Sequence, residues 1–288
     1  MHETLRIKID FLKERQRPAE IFQAMSSYIE AYEAIGQVMV GSLGAQGEFA
    51  LRLEDVETGS VASVLKAVPG RLKGWFETAV FESSMKLAED LAGLESTTTE
   101  EEVDQLASGV EAELAKFNDE QMFAPKIDRK AFAHALNKLS EANKRLLPEE
   151  SASASIVESE NVTAINTHWR FNANPKEMFQ GTTETKGCVD KLYVRAPVNI
   201  GKGAWAMLSA STNNRYNAKI TDLLWLEQYQ DGSIAPIGPR DVMEAEVSIE
   251  IYSPPPGKGK PFISGAKVVR VLQIHRDVGL QHETKPLF

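Results

Sequence analysis

Apolar and polar residues alternate at the start of the chain. Leu5, Ile7 and Ile9 fall on one side and Arg6, Lys8 and Asp10 on the other, so the spacing predicts a half-buried strand over 5–11. From Pro18 to about Met39 the period changes. Phe22, Met25, Ile29, Tyr32 and Ile35 recur every three or four residues, and Pro18 suits a first helical turn. Alternation returns with Phe49, Leu51 and Leu53 against Arg52 and Glu54, and a strand-like run over 61–68 ends at Pro69-Gly70. The opening unit therefore reads β-α-β-β.

Three helices follow in the pattern. The first, over 71–94, presents Leu72, Trp75, Phe76, Val80, Leu87 and Leu91. The second begins after Thr99, with Glu102 placed to complete a capping box, and carries Val103, Leu106, Val110, Leu114 and Phe117. The third begins after the N-cap residue Asp128, carries Phe132, Leu136, Leu139 and Leu146, and ends with Lys144 and Arg145 near the negative end of the helix dipole, where Pro148 stops it. The helical period is lost over 148–155, which marks a boundary between residues 1–150 and 151–288.

Beyond it the pattern predicts strands over 162–171, 189–195, 204–209, 216–220, 242–252 and 266–275, and one short helix over 222–230. Within 242–252, Ala245, Val247, Ile249 and Ile251 alternate with Glu244, Glu246, Ser248 and Glu250, as in an antiparallel strand with one wet face. The run Pro254-Pro255-Pro256-Gly257-Lys258-Gly259-Lys260-Pro261 cannot pair in a ladder and reads as an exposed connection. The fold class is α+β: an N-terminal β-α-β-β unit with additional helices, then an antiparallel β-barrel or sandwich, with the small barrel at about 189–276.

Composition sharpens this division. The formal charge of −9 is uneven: residues 1–150 hold 17 Lys and Arg against 27 Asp and Glu, and residues 151–288 hold 15 against 14. Duplex-binding proteins usually show a basic excess, so a nucleic-acid surface belongs in the second half. Cys188 is the only cysteine, which rules out an intramolecular disulfide and a cysteine zinc cage and fits a reducing, cytoplasmic setting. Charges interrupt the first residues where a signal core would have to be apolar, and no stretch approaches a membrane span.

Trp205, then Asn217-Ala218-Lys219-Ile220-Thr221-Asp222, Trp225-Leu226, Gly232, Pro239-Arg240-Asp241-Val242 and Lys267-Val268-Val269-Arg270-Val271-Leu272 stand in a familiar order. This stretch of about seventy residues resembles the C-terminal module of a group of uncharacterised bacterial proteins. In that group a Trp-bearing strand leads to an A-x-I-x-D turn, a short helix, a Gly-Asp turn and two long hairpin strands. Pro239-Arg240-Asp241 departs from the Gly-Asp pair. The resemblance implies a small β-barrel, often encoded in mobile or phage-defence gene neighbourhoods, and brings no catalytic residues or cofactor with it.

Candidate chemistry is sparse. Arg129 and His134 fit the R-x4-6-H spacing of helical HEPN ribonucleases, but five residues set them about 140° apart around a helix. Glu184-Thr185-Lys186 and Glu283-Thr284-Lys285 have the E-x-K form of metal-dependent nucleases, with no acidic residue at a core strand end ahead of either. Asp10, Glu54, Asp55 and Glu57 would converge if the first two strands paired. Gly201-Lys202-Gly203 and Gly257-Lys258-Gly259-Lys260 lack the remaining elements of dinucleotide and Walker loops, and no metal-ligand motif occurs. The remaining patch is basic and aromatic. Trp205 and Tyr216 with Lys258, Lys260, Lys267 and Arg270 are the residue types that hold single strands by stacking and phosphate contact, although Glu244, Glu246 and Glu250 would balance the last strand across the sheet. The sequence thus points to a non-enzymatic binding or assembly protein, with a protein partner or a second copy of itself, as an accessory component of an anti-phage system. The alternatives are a nuclease and a single-strand nucleic-acid-binding barrel.

Overall fold

A computed structural model describes residues 4–43, 49–57, 61–67, 74–117, 125–157, 161–257 and 261–278. The chain forms two compact units. One comprises Met1–Asp119, Pro125–Gly181 and Pro254–Lys260; the other comprises Glu120–Ala124, Thr182–Ser253 and Pro261–Phe288.

The first unit follows the order β1 (Thr4–Asp10), α1 (Ala19–Ser42), β2 (Leu51–Glu57), β3 (Val61–Ala67), α2 (Gly74–Ala92), β4 (Ser96–Thr97), α3 (Glu100–Lys116), α4 (Arg129–Asn143), β5 (Ser151–Ile156), β6 (Val162–Ile165), β7 (Arg170–Phe171) and α5 (Pro175–Met178). Five strands make one sheet in the order β2-β3-β1-β5-β6, with antiparallel neighbours throughout. Because β3 lies between β1 and β2, the opening is a split β-α-β unit of the ferredoxin-like kind, extended here by β6. It also keeps Asp10 a strand away from Glu54 and Asp55, so the acidic cluster does not assemble.

The alternation in β1 does what its period requires: Leu5, Ile7 and Ile9 are fully buried. The stripe of α1 departs from the predicted one at two positions, where Ile21 and Tyr28 are buried in place of Phe22 and Ile29. Ile21 is buried and Phe22 is 63% exposed, while Met25, Tyr32 and Ile35 keep their predicted place. The capping box of Thr99 and Glu102 and the Asp128 N-cap both form.

The boundary lies later than the loss of helical period suggests. Residues 151–156 are not a linker. They form β5 beside the central strand, pairing Leu5 with Ile156, Ile7 with Ala154 and Ile9 with Ala152. Ala and Ser are small enough for this position, which hides the strand from a hydrophobicity scan. Glu150 anchors the approach. Its carboxylate is buried and accepts from the Leu12 amide at 3.2 Å, the Leu147 amide at 2.9 Å and the Arg15 guanidinium. The predicted strand over 162–171 is two strands, split by a turn in which the Asn166 side chain donates to the carbonyls of Leu91, Ala92 and Leu94 and so closes the C-terminus of α2.

The second unit consists of β8 (Thr182–Ala196), β9 (Ala204–Ser209), β10 (Arg215–Ile220), α6 (Leu223–Gln230), β11 (Val242–Ser253) and β12 (Phe262–His275). Its strands close into a barrel in the order β10-β12-β11-β8-β9. All neighbours are antiparallel except β10 and β12, which are parallel, with Lys219 beside Lys267. Numbered within the barrel, the strands run 1-2-3-5-4 with a helix between the third and fourth, which is the connectivity of the Greek-key barrels called OB-folds. Register shifts at three places between β11 and β12 let these long strands bend around the barrel.

Candidate nucleic-acid interface on the barrel

The inner wall of the barrel is apolar. Leu192, Val194, Trp205, Met207, Tyr216, Ala218, Ile220, Met243, Ala245, Val247 and Val268 fill it, and Leu226 and Tyr229 of α6 close one side. Trp205 packs on Trp225 and Tyr229, with ring centroids 5.9 and 5.0 Å away. The residues that carried the sequence resemblance are therefore largely the barrel's core. Trp205 is 0% exposed and Tyr216 is 3% exposed, so neither presents a ring face to a base, and both leave the list of ligand-stacking residues. Burial pushes the Tyr216 hydroxyl well above its usual range, with Asp190 and Cys188 adding to the shift.

The basic residues of β12, and Arg276 just after it, are already engaged. Lys267 pairs with Glu250 at 3.3 Å, Arg270 with Glu246 at 2.7 Å, His275 with Glu244 at 2.6 Å and Arg276 with Asp241 at 2.7 Å. The β11–β12 ladder thus neutralises itself, as the glutamates of β11 led one to expect. Lys258 and Lys260 lie outside the described residues. Asp241 also closes the Pro239-Arg240-Asp241 turn, accepting from the amides of Gly238 and Asp277. Burial raises its carboxyl, but these amides and the Arg276 guanidinium outweigh that and hold it below the usual carboxylate range.

The remaining charge of this unit is unevenly placed along the chain. Residues 182–220 hold six Lys and Arg against Glu184 and Asp190, whereas residues 221–253 hold Arg240 against seven Asp and Glu. By count, the segment from β8 to β10 is therefore net basic and the segment from α6 to β11 net acidic. Since Leu192, Val194, Trp205, Met207, Tyr216 and Ala218 point inward, period two turns Tyr193, Arg195, Ala204, Ala206, Leu208, Arg215, Asn217 and Lys219 away from the core; of these Arg215 and Lys219 are exposed, Tyr193, Arg195, Ala204 and Asn217 are half-buried, and Ala206 and Leu208 of β9 are buried at 4% exposed. Register sets them in rows: Tyr193, Leu208 and Arg215 abreast, then Ala206 beside Asn217, then Ala204, Lys219 and Lys267. A bulge between Val194 and Ala196 makes Arg195 the extra residue and re-aims it. Its Nε is buried with no hydrogen-bond partner among the described residues. Lys191, Arg195, Lys202 and Lys219 make no ion pair among the described residues, in contrast to the cations of β12.

Sequence reasoning passed over Lys191, Tyr193, Arg195, Arg215 and Lys219. The signal was present, because Lys-Leu-Tyr-Val-Arg and Arg-Tyr-Asn-Ala-Lys each alternate a buried apolar residue with a polar one. Recognising it required knowing that these strands are neighbours.

The nuclease candidates do not converge. Arg129 is pinned between α3 and α4, donating to Asp104 Oδ1 at 2.8 Å, the Ile127 carbonyl at 2.8 Å, Ser108 Oγ at 3.2 Å and the Glu111 carboxylate. Its side chain is 1% exposed. His134 lies further along α4 with no hydrogen bond to it. Glu184 and Lys186 pair with each other at 3.3 Å on the exposed surface, and Glu283 and Lys285 fall outside the described residues. Among the described residues, no group of three or more His, Cys, Asp or Glu comes together to hold a metal ion. In the first unit a cleft of about 230 Å³ is lined by Thr98, Thr99, Glu100, Asn174, Glu177 and Gln180, with no cation among its side chains and with Thr99 committed to its capping box. Among the described residues, no helix is long and apolar enough to cross a membrane.

No protein-family model, curated protein or solved structure matches this chain.

Proposed function

We propose that this chain is a non-enzymatic binding protein whose barrel holds single-stranded nucleic acid by the cations of β8, β10 and the β8–β9 loop. The observation that supports the reading is a set of cations, Lys191, Arg195, Lys202 and Lys219, that make no ion pair among the described residues of a barrel with OB connectivity. In this reading Arg195, Arg215 and Lys219 contact phosphates, Asn217 meets a base edge and Tyr193 offers a stacking surface. Arg215 and Lys219 are four residues apart, about 13 Å along the strand, which fits a short site at the low end of the roughly 4–16 nucleotides taken by such folds. The acidic first unit keeps duplex away and suits a protein partner. With the resemblance of the barrel to the bacterial modules above, the protein would serve as an accessory component of an anti-phage system in the cytoplasm.

Fluorescence anisotropy of the full chain with labelled dT15, rU15 and a duplex, from 50 to 300 mM KCl, tests this. Salt-sensitive binding of the single strands is expected. Arg195→Ala with Lys219→Ala should weaken it more than about tenfold and flatten the salt dependence by about 1.4 logarithmic units per decade, at roughly 0.7 per phosphate contact. Lys267→Ala with Arg270→Ala should change affinity less than about threefold, since those charges are already paired. Absence of any single-strand shift at 50 mM KCl would overturn the nucleic-acid reading and favour a purely protein-binding role, and cleavage of the oligonucleotide with Mg2+ or Mn2+ would favour a nuclease.

A further inference from the structure

The connection from β8 to β9, residues 197–203, contains Gly201 and Gly203, and Gly201 adopts φ +85°, a conformation natural to glycine. Such a loop would be loose if left to itself. Here α6 holds it. Gln230 Nε2 donates to the carbonyl of Val198 at 3.0 Å and to that of Gly201 at 2.7 Å, and the Tyr229 hydroxyl donates to Asn199 Oδ1 at 3.3 Å. Both NH donors of one side-chain amide are thus spent on one short loop, while Tyr229 is itself locked by stacking on Trp225 at 5.4 Å. Lys202 is exposed, makes no ion pair among the described residues, and lies two residues before Ala204, which is paired with Lys219. A fixed loop therefore carries this cation.

We infer that Gln230 is a positioning residue for nucleic-acid binding: it preorders the β8–β9 loop so that Lys202 meets a phosphate without a loss of loop freedom on binding. The inference rests on the nucleic-acid reading above. Its physical basis is that ordering flexible residues opposes association, so a loop ordered beforehand binds more tightly with the same contacts. Gln230 touches no ligand and acts through the loop.

The test compares dT15 binding by the full chain as parent, Lys202→Ala, Gln230→Met and the double variant, each over 50–300 mM KCl. Lys202→Ala should flatten the salt dependence by about 0.7 units per decade, one phosphate contact. Gln230→Met, similar in size but without the amide donors, should weaken binding about five- to tenfold and flatten the salt dependence equally, and the double variant should do no more than either. A purely structural Gln230 would lower the thermal midpoint and leave the salt dependence at the parent value. If Gln230→Met fails to fold, Tyr229→Phe, which removes only the Asn199 contact, should weaken binding about two- to threefold with a normal midpoint. Parent binding with an unchanged salt slope in Gln230→Met, or additive losses in the double variant, would overturn the positioning role and leave the nucleic-acid reading standing. Failure of the parent to bind would overturn both.

Discussion

Replacing Arg129 by Met separates a structural arginine from a catalytic one. The guanidinium is nearly sealed from solvent and joins α3 to α4 through Asp104, Ser108, Glu111 and the Ile127 carbonyl. Burial lowers its affinity for the proton, but Glu111 and Asp104 reverse that and raise it, so the charge is firmly held. Removing one member of a buried pair costs about 3–5 kcal/mol because the other is left without its partner. Two features temper this. Asp104 is 47% exposed and regains water, and Glu111 keeps the Ile127 amide at 2.8 Å and Lys126 at 3.5 Å. A loss of about 2–4 kcal/mol follows, which for a unit of this size is a fall of roughly 4–16 °C in thermal midpoint. His134→Ala serves as control, with an expected change within about 1 kcal/mol. Circular dichroism melts at 222 nm and an RNA-cleavage assay on the same preparations decide the matter. An Arg129→Met variant that melts with the parent, or that keeps its stability while losing a cleavage activity shared with His134, would refute the structural account.

Three further expectations follow from the barrel. Tyr216→Phe should leave stability within about 1 kcal/mol of the parent or raise it, and leave oligonucleotide affinity unchanged, since the hydroxyl is buried with no partner among the described residues; urea titration and anisotropy measure both. Trp205→Ala should cost about 3–5 kcal/mol, because a fully buried ring packed on Trp225 and Tyr229 leaves a cavity, and near-ultraviolet circular dichroism should lose the aromatic signal. Asp241 has a folded pKa below its unfolded value, so its stabilisation is complete above about pH 4 and is lost as pH falls through the folded pKa. Asp241→Asn should accordingly be less stable than the parent at pH 7, by about 1–2 kcal/mol, with the gap closing toward pH 2 in urea melts.

Local rules explain how much of this was legible. Period and capping located α1, α3, α4, α6 and most strands, because side-chain direction repeats every 3.6 or 2.0 residues whatever the partner. They misplaced Phe22, since a 3.6-residue stripe tolerates one residue of rotation until a sheet is laid against it. They passed over β5, whose Ser-Ala-Ser-Ala-Ser-Ile run is weakly apolar yet pairs with the central strand. They offered the glutamates of β11 as partners for the cations of β12 without saying which meets which: Lys267 pairs with Glu250 and Arg270 with Glu246, 17 and 24 residues away.

The sequence alone determined that the chain is acidic in its helical first half and that its last part is rich in strands. Both follow from residue type and spacing. Tertiary structure decided which strand lies beside which, and with that the closed order of the barrel, the central place of β5, the pairing of charges across β11 and β12, and the grouping of Arg195, Arg215 and Lys219 on one face. The reason is that strand neighbours are set by long-range pairing and packing, in which each strand chooses its partner by the fit of a whole face, and a single stretch of sequence carries only its own half of that fit.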